Sequence, residues 1–326
     1  MKKDNQKEEP LEKPDFWHNT KRYYDLKSYF LNTFGCKVYK LQIDAGFTCP
    51  NRDGRVAYGG CTYCDGRGSK LRQGGPLPSV SRQIEIGKAH YMKIRGARKF
   101  IAYFQTFTNT YAPVDHLRTI YNEALSREDI LGLSIGTRPD CVPDAVVDLL
   151  ETYGKHHHIW VEYGLQSIHD RTLRALNRGH TAAQFLDAVH RTAERGIHIC
   201  AHIIVGLPGE SHGDMMETAR TLAKLPVQGI KIHSLLALKG TPLGHEFERG
   251  RLSLLSRETY IETVCDMLEI LPSNIVIHRL TADGYRDILL GPSWAVNKMD
   301  VLNGINHEMN RRRTYQGFRS YGTETE

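Results

Sequence analysis

The stretch HICAHIIVGL at residues 198–207 carries the pattern that decides the fold. Successive side chains of a strand point to opposite faces, so His198 and His202 share one face while Ile199 and Ala201 occupy the other. A parallel strand that is buried on both faces is usually apolar throughout. We therefore predict that this strand packs its apolar face against helices and turns its polar face towards solvent or a ligand.

Strands of this kind alternate with helical stretches along most of the chain. The strand candidates are residues 38–45, 99–105, 131–137, 159–166, 198–207 and 230–236. Parallel neighbours need a crossover, which is usually a helix, so the alternation predicts a parallel sheet. A closed eight-stranded barrel is filled by branched apolar side chains, whereas Glu162 and Lys231 fall on the inner faces here. The sequence therefore predicts an α/β fold: a partial (βα)6 barrel of the TIM type, with a short N-terminal helix and a C-terminal α/β extension.

Several polar and glycine residues lie where these strands end. They are Cys64, Gln105, Thr137, Gln166 and Gly206. Parallel α/β sheets bind ligands at the carboxyl ends of their strands, so this rim is the predicted site. The alternative is an inner face that is closed by its own ion pairs, for instance Glu162 with Lys231 or with Arg138.

A loop dense in glycine follows the first strand and holds Cys49, Cys61 and Cys64 in the segment DAGFTCPNRDGRVAYGGCTYCDGRG. A 4Fe–4S cluster takes four ligands, so three thiolates leave one iron open to a small molecule. Structural zinc is the alternative, but it needs a fourth ligand. The nearby candidate, Cys36, begins the strand and would lie roughly 30 Å from the loop at the rise of an extended chain. The spacing therefore favours the cluster.

Size and composition limit the remaining possibilities. The chain has 326 residues, a formal net charge of +6 and seven cysteines, and an odd cysteine count without a secretory leader argues against a disulfide framework. The polar N-terminus predicts neither a signal peptide nor a membrane span, so we expect a cytoplasmic protein without membrane contact. The expected organisation is a disordered leader and helix at 1–35, a catalytic core at 36–250 and an extension at 251–326 that closes the open side of the barrel.

Three motifs resemble one enzyme family. CPNRDGRVAYGGCTYC (49–64) resembles the cluster loop of radical S-adenosylmethionine (radical SAM) enzymes in the branch of the Elongator catalytic subunit. YGLQSIHDRTLRALNRGHT (163–181) and HIIVGLPGES (202–211) resemble that branch and the oxygen-independent coproporphyrinogen dehydrogenases. The opening at 22–54 looks like the bacterial YhcC/YtqA-type radical SAM proteins in particular.

The resemblance implies a cofactor set and a group of binding residues. Cys49, Cys61 and Cys64 would hold a 4Fe–4S cluster whose open iron takes S-adenosylmethionine. A flavodoxin- or ferredoxin-type reductant would supply the electron that cleaves the sulfonium to a 5′-deoxyadenosyl radical. The residues implied to contact S-adenosylmethionine are Tyr63, Gln105, Thr106, Thr137, Arg138, Gln166, Ser167, Arg178, Ile204 and Gly206. The catalytic acid or base stays unassigned; the inward-facing candidates are His202, His233, Glu162 and Lys231, and the two histidines are also typical of core packing.

The relationship to Elongator implies a substrate class. We expect remodelling of the carbon-5 side chain of wobble uridine in tRNA, with tRNA as partner. The chain has no room for an acetyltransferase domain, which favours a side chain that other enzymes have already installed, and no second cysteine trio supports methylthiolation. The alternatives are radical decarboxylation or dehydrogenation of a small, porphyrin-type metabolite, and a non-catalytic RNA-binding scaffold. The cations and rings of 311–319 are typical either of nucleic-acid contact or of a solvated tail.

Overall fold

The computed structural model describes residues 14–18, 20–66 and 76–320. Strands and helices alternate as predicted through most of this range. The strands are β1 (Val38–Ile43), β2 (Lys99–Phe104), β3 (Ile130–Thr137), β4 (His158–Gln166), β5 (His198–Val205), β6 (Gly229–Ser234), β7 (Ala237–Leu238), β8 (Val276–Arg279) and β9 (Leu289–Gly291). The helices are α1 (Leu26–Phe34), α2 (Val80–Arg95), α3 (Val114–Leu125), α4 (Asp144–Gly154), α5 (Asp170–Ala175), α6 (Ala182–Thr192), α7 (His212–Ala223), α8 (Pro242–Glu248), α9 (Arg257–Ile270) and α10 (Lys298–Arg311).

The main sheet is parallel and open. Its strand order is β1-β2-β3-β4-β5-β6-β8, so each strand from β1 to β5 pairs with the next and the six predicted core strands lie side by side. The strand expected in the C-terminal extension pairs with β6 and forms the seventh strand of the same sheet. β1 and β8 are the two edges, so the predicted partial barrel is confirmed and extends by one strand on the C-terminal side.

The alternation in β5 has the predicted effect. Ile199, Ala201 and Ile203 are buried in the large apolar core that the outer face of the sheet forms with its helices. His202, one position out of phase, is partly exposed on the inner face. The inner face therefore surrounds a lumen in which polar side chains replace the apolar filling of a closed barrel.

The N-terminal helix begins and ends at clear capping residues. Asp25 accepts a hydrogen bond from the Ser28 backbone N–H at 2.9 Å, which satisfies one free donor of the first turn. Gly35 has φ +66° and donates from its N–H to the Leu31 carbonyl, so α1 stops at the predicted residue. Residues 1–13 of the predicted leader lie outside the described residues.

The two ends of the described chain meet beside β8. The buried Gln316 side chain donates to the carbonyls of Pro272 (2.7 Å) and Ile275 (2.8 Å). Its Oε1 accepts from the Tyr24 N–H at 3.0 Å, and its own N–H donates to the Arg22 carbonyl at 2.9 Å. One amide therefore links the N-terminal segment to the segment that precedes β8.

The basic C-terminal segment is held by internal ion pairs. Arg312 contacts Asp266 at 2.5 Å and Glu308 at 2.6 Å, and Arg319 contacts Glu269 at 2.8 Å. Nucleic-acid contact was one of the two interpretations of these cations. Because helix α9 supplies two of their carboxylate partners, they contribute to packing at this position. Among the described residues, no helix combines the length and apolar character that a membrane span needs.

Candidate active site

The cysteine loop leaves β1 at the carboxyl rim of the sheet. Backbone N–H groups of Arg52 and Asp53 donate to the Cys49 carbonyl at 2.8 and 3.2 Å, and the Cys64 N–H donates to the Cys61 carbonyl at 2.9 Å. These turns bring the three cysteines to the border of one cavity of about 180 Å³. All three thiols are free, so no disulfide competes with metal ligation.

Two nitrogen donors point at the Cys61 sulfur. The Arg178 Nη1 and the Asn51 amide each lie 3.6 Å from Sγ. Arg178 is buried, and its Nη2 donates to the Gly164 carbonyl at 2.7 Å. A Cβ at position 164 would lie 2.6 Å from that Nη2, so glycine is what lets the guanidinium reach the sulfur. Hydrogen bonds to sulfur tune the reduction potential of an iron–sulfur cluster.

The donor set fits a 4Fe–4S cluster with three protein ligands. The Arg178 Nε is buried without a partner, which indicates a further acceptor at this position. Structural zinc would require a fourth ligand, and Cys36 packs against Phe30 and Val38 where β1 begins, at the opposite end of the strand. The residues present therefore match the cluster better than the zinc alternative.

Six of the ten residues implied to contact S-adenosylmethionine border the cysteine cavity. They are Tyr63, Gln105, Thr137, Arg138, Gln166 and Arg178. Arg138 is already engaged, because Asp140 accepts from its Nε at 2.9 Å and its Nη2 at 2.8 Å, while its Nη1 donates to the Arg178 carbonyl at 2.7 Å. Arg138 thus fixes the backbone of Arg178, and the alternative in which it pairs with Glu162 is wrong.

The other four lie beside this cavity and do not border it. Thr106 is buried, and Ser167 is buried and donates to the Glu210 carboxylate. Ile204 packs with Tyr63 in a small apolar cluster that contains Leu207 and Leu235. Gly206, at φ +89°, faces Leu255. Contact of any of the ten with S-adenosylmethionine stays a prediction.

Glu162 is the centre of a buried polar network in the lumen. Its carboxylate accepts from Lys40 at 2.7 Å, from Lys231, and from the Nε2 of His202 at 2.8 Å. Burial alone would raise the pKa of Glu162, but Lys231 and Lys40 hold that pKa well below its usual range. Of the two ion pairs that the sequence analysis named as an alternative, the one between Glu162 and Lys231 is therefore present.

The candidate histidines of the lumen are neutral near pH 7. Burial, reinforced by the Lys231 charge, lowers the pKa of His202 to about 4. Burial and Arg279 lower the pKa of His233 well below its usual range, and the two rings lie 5.5 Å apart. Glu162, Lys231, His202 and His233 thus form one contiguous group, and their catalytic roles stay unassigned.

A second, larger cavity of about 1100 Å³ occupies the open side of the barrel. Tyr63, Cys64, Gln105 and His202 border both this cavity and the cysteine cavity. The two spaces therefore adjoin at the rim, and a group bound by the cysteines would face the larger space. Small-molecule sites usually measure roughly 300–1,000 Å³, so this one has room for a ligand of nucleotide size or more.

Comparison with known proteins identifies the family. A family model described as "Radical SAM superfamily" matches residues 49–222, beginning at the first cysteine of the loop, and one described as "Radical_SAM C-terminal domain" matches residues 227–311. This chain belongs to the radical SAM superfamily. Radical SAM proteins typically use a 4Fe–4S cluster and S-adenosylmethionine, so the cofactors that the resemblance implied are those of its family.

Individual relatives agree with the predicted branch. The uncharacterized protein YtqA of Bacillus subtilis is 46% identical over 297 residues, which covers 91% of this chain and 92% of that protein. Human Elongator complex protein 3 is 29% identical over 157 residues, covering 47% of this chain and 28% of that protein. The structure of archaeal Methanocaldococcus infernus Elp3, lacking residues 1–46, has a TM-score of 0.64 at 17% identity, covering 88% of this chain and 68% of the other, and so shows the shared fold.

Sequence reasoning missed several residues of this radical SAM site. Asn51 and Gly164 lie inside the quoted motifs but have no chemistry that singles them out before Arg178 is located. Lys40 and His278 also border the lumen. Lys40 could have been found by applying the two-residue period to β1, where Lys40 and Gln42 share the inner face. His278 offered no comparable signal, because the pairing of β8 with β6 had to be known first.

Proposed function

We propose that this radical SAM enzyme binds a 4Fe–4S cluster through Cys49, Cys61 and Cys64 and S-adenosylmethionine beside it, and remodels the carbon-5 side chain of wobble uridine in tRNA. The observation that carries the proposal is the junction of the two cavities at Tyr63, Cys64, Gln105 and His202. A reactive group at the cysteine cavity would meet a substrate in the larger one only at this junction.

The charge of the larger cavity favours an anionic substrate. Its lining contains the cations Lys27, Lys37, Lys40, Arg95, Lys231 and Arg279 and the carboxylates Asp65 and Asp283. Glu162 already compensates Lys40 and Lys231, so the positive surplus lies with Lys27, Lys37 and Arg95. Asp283 is itself neutralised by Arg279 at 2.8 Å and Lys298 at 3.0 Å. A nucleotide with its phosphates suits this balance in both size and charge.

The chemistry that the bound cofactors supply is one-electron cleavage of a sulfonium, which provides a hydrogen-abstracting radical. The residues of the chain would hold the substrate in place and shield the reacting atoms from water. Gln105 and His202 stand at the junction, where a substrate carbon must be held within a few ångströms before the radical is released. The neutral His202 ring can hydrogen-bond a polar substrate without adding charge. A substrate that fills the cavity would displace water from the junction.

The similarity to Elongator complex protein 3 supports uridine as the target, because the Elongator branch acts on the wobble uridine side chain. The match covers 47% of this chain and 28% of that protein. The proposed target is a side chain that another enzyme has installed. A flavodoxin- or ferredoxin-type reductant is the expected electron donor.

The test is an anaerobic reaction of cluster-loaded protein with S-adenosylmethionine and tRNA from a strain that lacks the gene. Mass spectrometry of the nucleosides should show one modified uridine lost and another gained, in step with release of 5′-deoxyadenosine. Cys61→Ser is expected to abolish both changes, while Cys36→Ser keeps them. An unchanged uridine profile together with 5′-deoxyadenosine release would reject tRNA and favour a small metabolite, and absence of both would favour a non-catalytic scaffold.

A further inference from the structure

Five residues form a groove at the outer end of the large cavity, beside the edge strand β1. They are Lys27 on α1, Lys37 before β1, Tyr39 on β1, and Tyr91 and Arg95 on α2. We call them the β1 groove. They border the same cavity that reaches the cysteine loop at the other end, so a chain that occupies the groove can extend into the lumen.

The cations of the β1 groove lack a counter-charge within the part of the chain that the structure describes. Lys27, Lys37 and Arg95 are exposed, and none of them contacts a carboxylate among the described residues. Two other cations, Lys88 on α2 and Arg127 beside it, are paired: Lys88 lies 2.5 Å from Asp129, and Arg127 lies 2.7 Å from Glu85. Three uncompensated charges at one cavity mouth repel one another, and a polyanion relieves this repulsion.

The groove also presents aromatic rings. Tyr39 and Tyr91 are partly exposed, with ring centroids 5.2 Å apart and planes inclined by 30°. The exposed Ile94 lies on the same wall. Cations that contact phosphates beside aromatic faces that stack bases are the two elements by which proteins bind single-stranded nucleic acid.

From this arrangement we propose that the β1 groove binds the single-stranded RNA that flanks the target nucleotide, with phosphates on Lys27, Lys37 and Arg95 and a base stacked on the Tyr39–Tyr91 pair. The inference rests on the proposed function, because it takes the nucleotide in the lumen to be part of an RNA strand. It adds the direction of entry, which is across the edge strand. A single-stranded loop fits because its bases are free to stack.

The test is fluorescence anisotropy of a labelled anticodon stem-loop RNA with the anaerobically purified, cluster-loaded full chain at several salt concentrations. Each phosphate contact to a single strand contributes about 0.7 to the slope of log affinity against log salt. The double variant Lys37→Gln/Arg95→Gln should therefore lower the slope by about 1.4. Lys93→Gln is the matched control, since Lys93 is exposed on the same helix and does not border the cavity.

Tyr91→Leu separates stacking from charge. Loss of one base stack should weaken RNA binding by about 5- to 150-fold while the salt slope keeps its wild-type value. Melting temperature and iron content, measured alongside, show whether each variant keeps its fold and cluster.

Two results would overturn the proposal that the β1 groove binds RNA. One is no RNA binding by the wild type, and the other is a salt slope in the double variant equal to that of Lys93→Gln. If tRNA nucleosides stay unchanged in the reaction above but the slope falls as calculated, the uridine proposal fails and the groove stands as an RNA-binding surface.

Discussion

Replacing Glu162 by glutamine tests whether the buried charge network of the lumen stabilises the folded barrel. The carboxylate is about 1% exposed and accepts hydrogen bonds from Lys40, Lys231 and His202. Glu162→Gln keeps the size of the side chain but removes the negative charge, so both ammonium groups stay buried without compensation. Breaking a buried pair in this way costs about 3–5 kcal/mol.

The lower end of that range applies here, because burial already lowers the pKa of Lys40 and makes its ammonium easier to discharge. A loss of about 3 kcal/mol should lower the melting temperature by roughly 6–12 °C, at ~2–4 °C per kcal/mol for a large domain. Glu246→Gln is the control: Glu246 pairs with Arg251 at 2.8 Å on the surface, where an ion pair contributes under about 1 kcal/mol.

The effect of pH follows from the direction of the shift. The folded-state pKa of Glu162 lies well below the ordinary value of 4.5, so its stabilisation is complete above pH 4.5 and is lost as the pH falls through the folded-state pKa. The difference between wild type and Glu162→Gln should hence be constant from pH 5 to pH 7 and narrow in more acid solution. It should also narrow in alkaline solution, because burial favours the neutral form of Lys40 in the variant.

The assay is thermal unfolding followed by circular dichroism on cluster-loaded protein under argon. Lys40→Met in the Glu162→Gln background should recover part of the loss, since it removes one uncompensated ammonium. Equal, small shifts for Glu162→Gln and Glu246→Gln would refute the view that this network stabilises the barrel.

Three further predictions concern the cysteine loop, Gly164 on β4 and the basic C-terminal segment. Cys61→Ser should abolish bound iron and the brown absorbance of anaerobic protein, whereas Cys36→Ser keeps both; iron and sulfide analysis decides. Gly164→Ala should push Arg178 from the Cys61 sulfur, because the new Cβ would lie 2.6 Å from Nη2, and the expected result is a shifted cluster reduction potential by anaerobic titration with wild-type iron content. Arg312→Gln should cost about 2 kcal/mol in urea unfolding through lost charged hydrogen bonds and leave RNA affinity unchanged; weaker RNA binding would show that the tail contacts RNA.

The sequence was most informative where a short period repeats. Alternation in β5 predicted which residues pack on the helices and which face the lumen, because the direction of a strand side chain depends only on its position. The three cysteines were equally informative, since their spacing is local and their chemistry is specific. The resemblance added six residues that border the cysteine cavity, and four others that lie beside it.

The features that the sequence did not predict depend on contacts between segments that are distant along the chain. Arg138 could not be assigned from its own strand, because Asp140 two residues later competes with Glu162 for the guanidinium. The tail cations could not be distinguished from an RNA-binding stretch before α9 was known to supply Asp266 and Glu269. The groove beside β1 brings together residues from two helices and a strand, and no local period connects them.

The link made by Gln316 sets an order of events in the cell. Tyr24 lies 292 residues before the Gln316 side chain that accepts from its N–H, so this contact forms only after almost all of the described chain has left the ribosome. The strand at 276–279, which pairs with β6 at the edge of the main sheet, is likewise synthesised after the cysteine loop and after β1–β6. A nascent chain that has emerged as far as β6 therefore carries its cysteine loop on a sheet that still lacks its last strand.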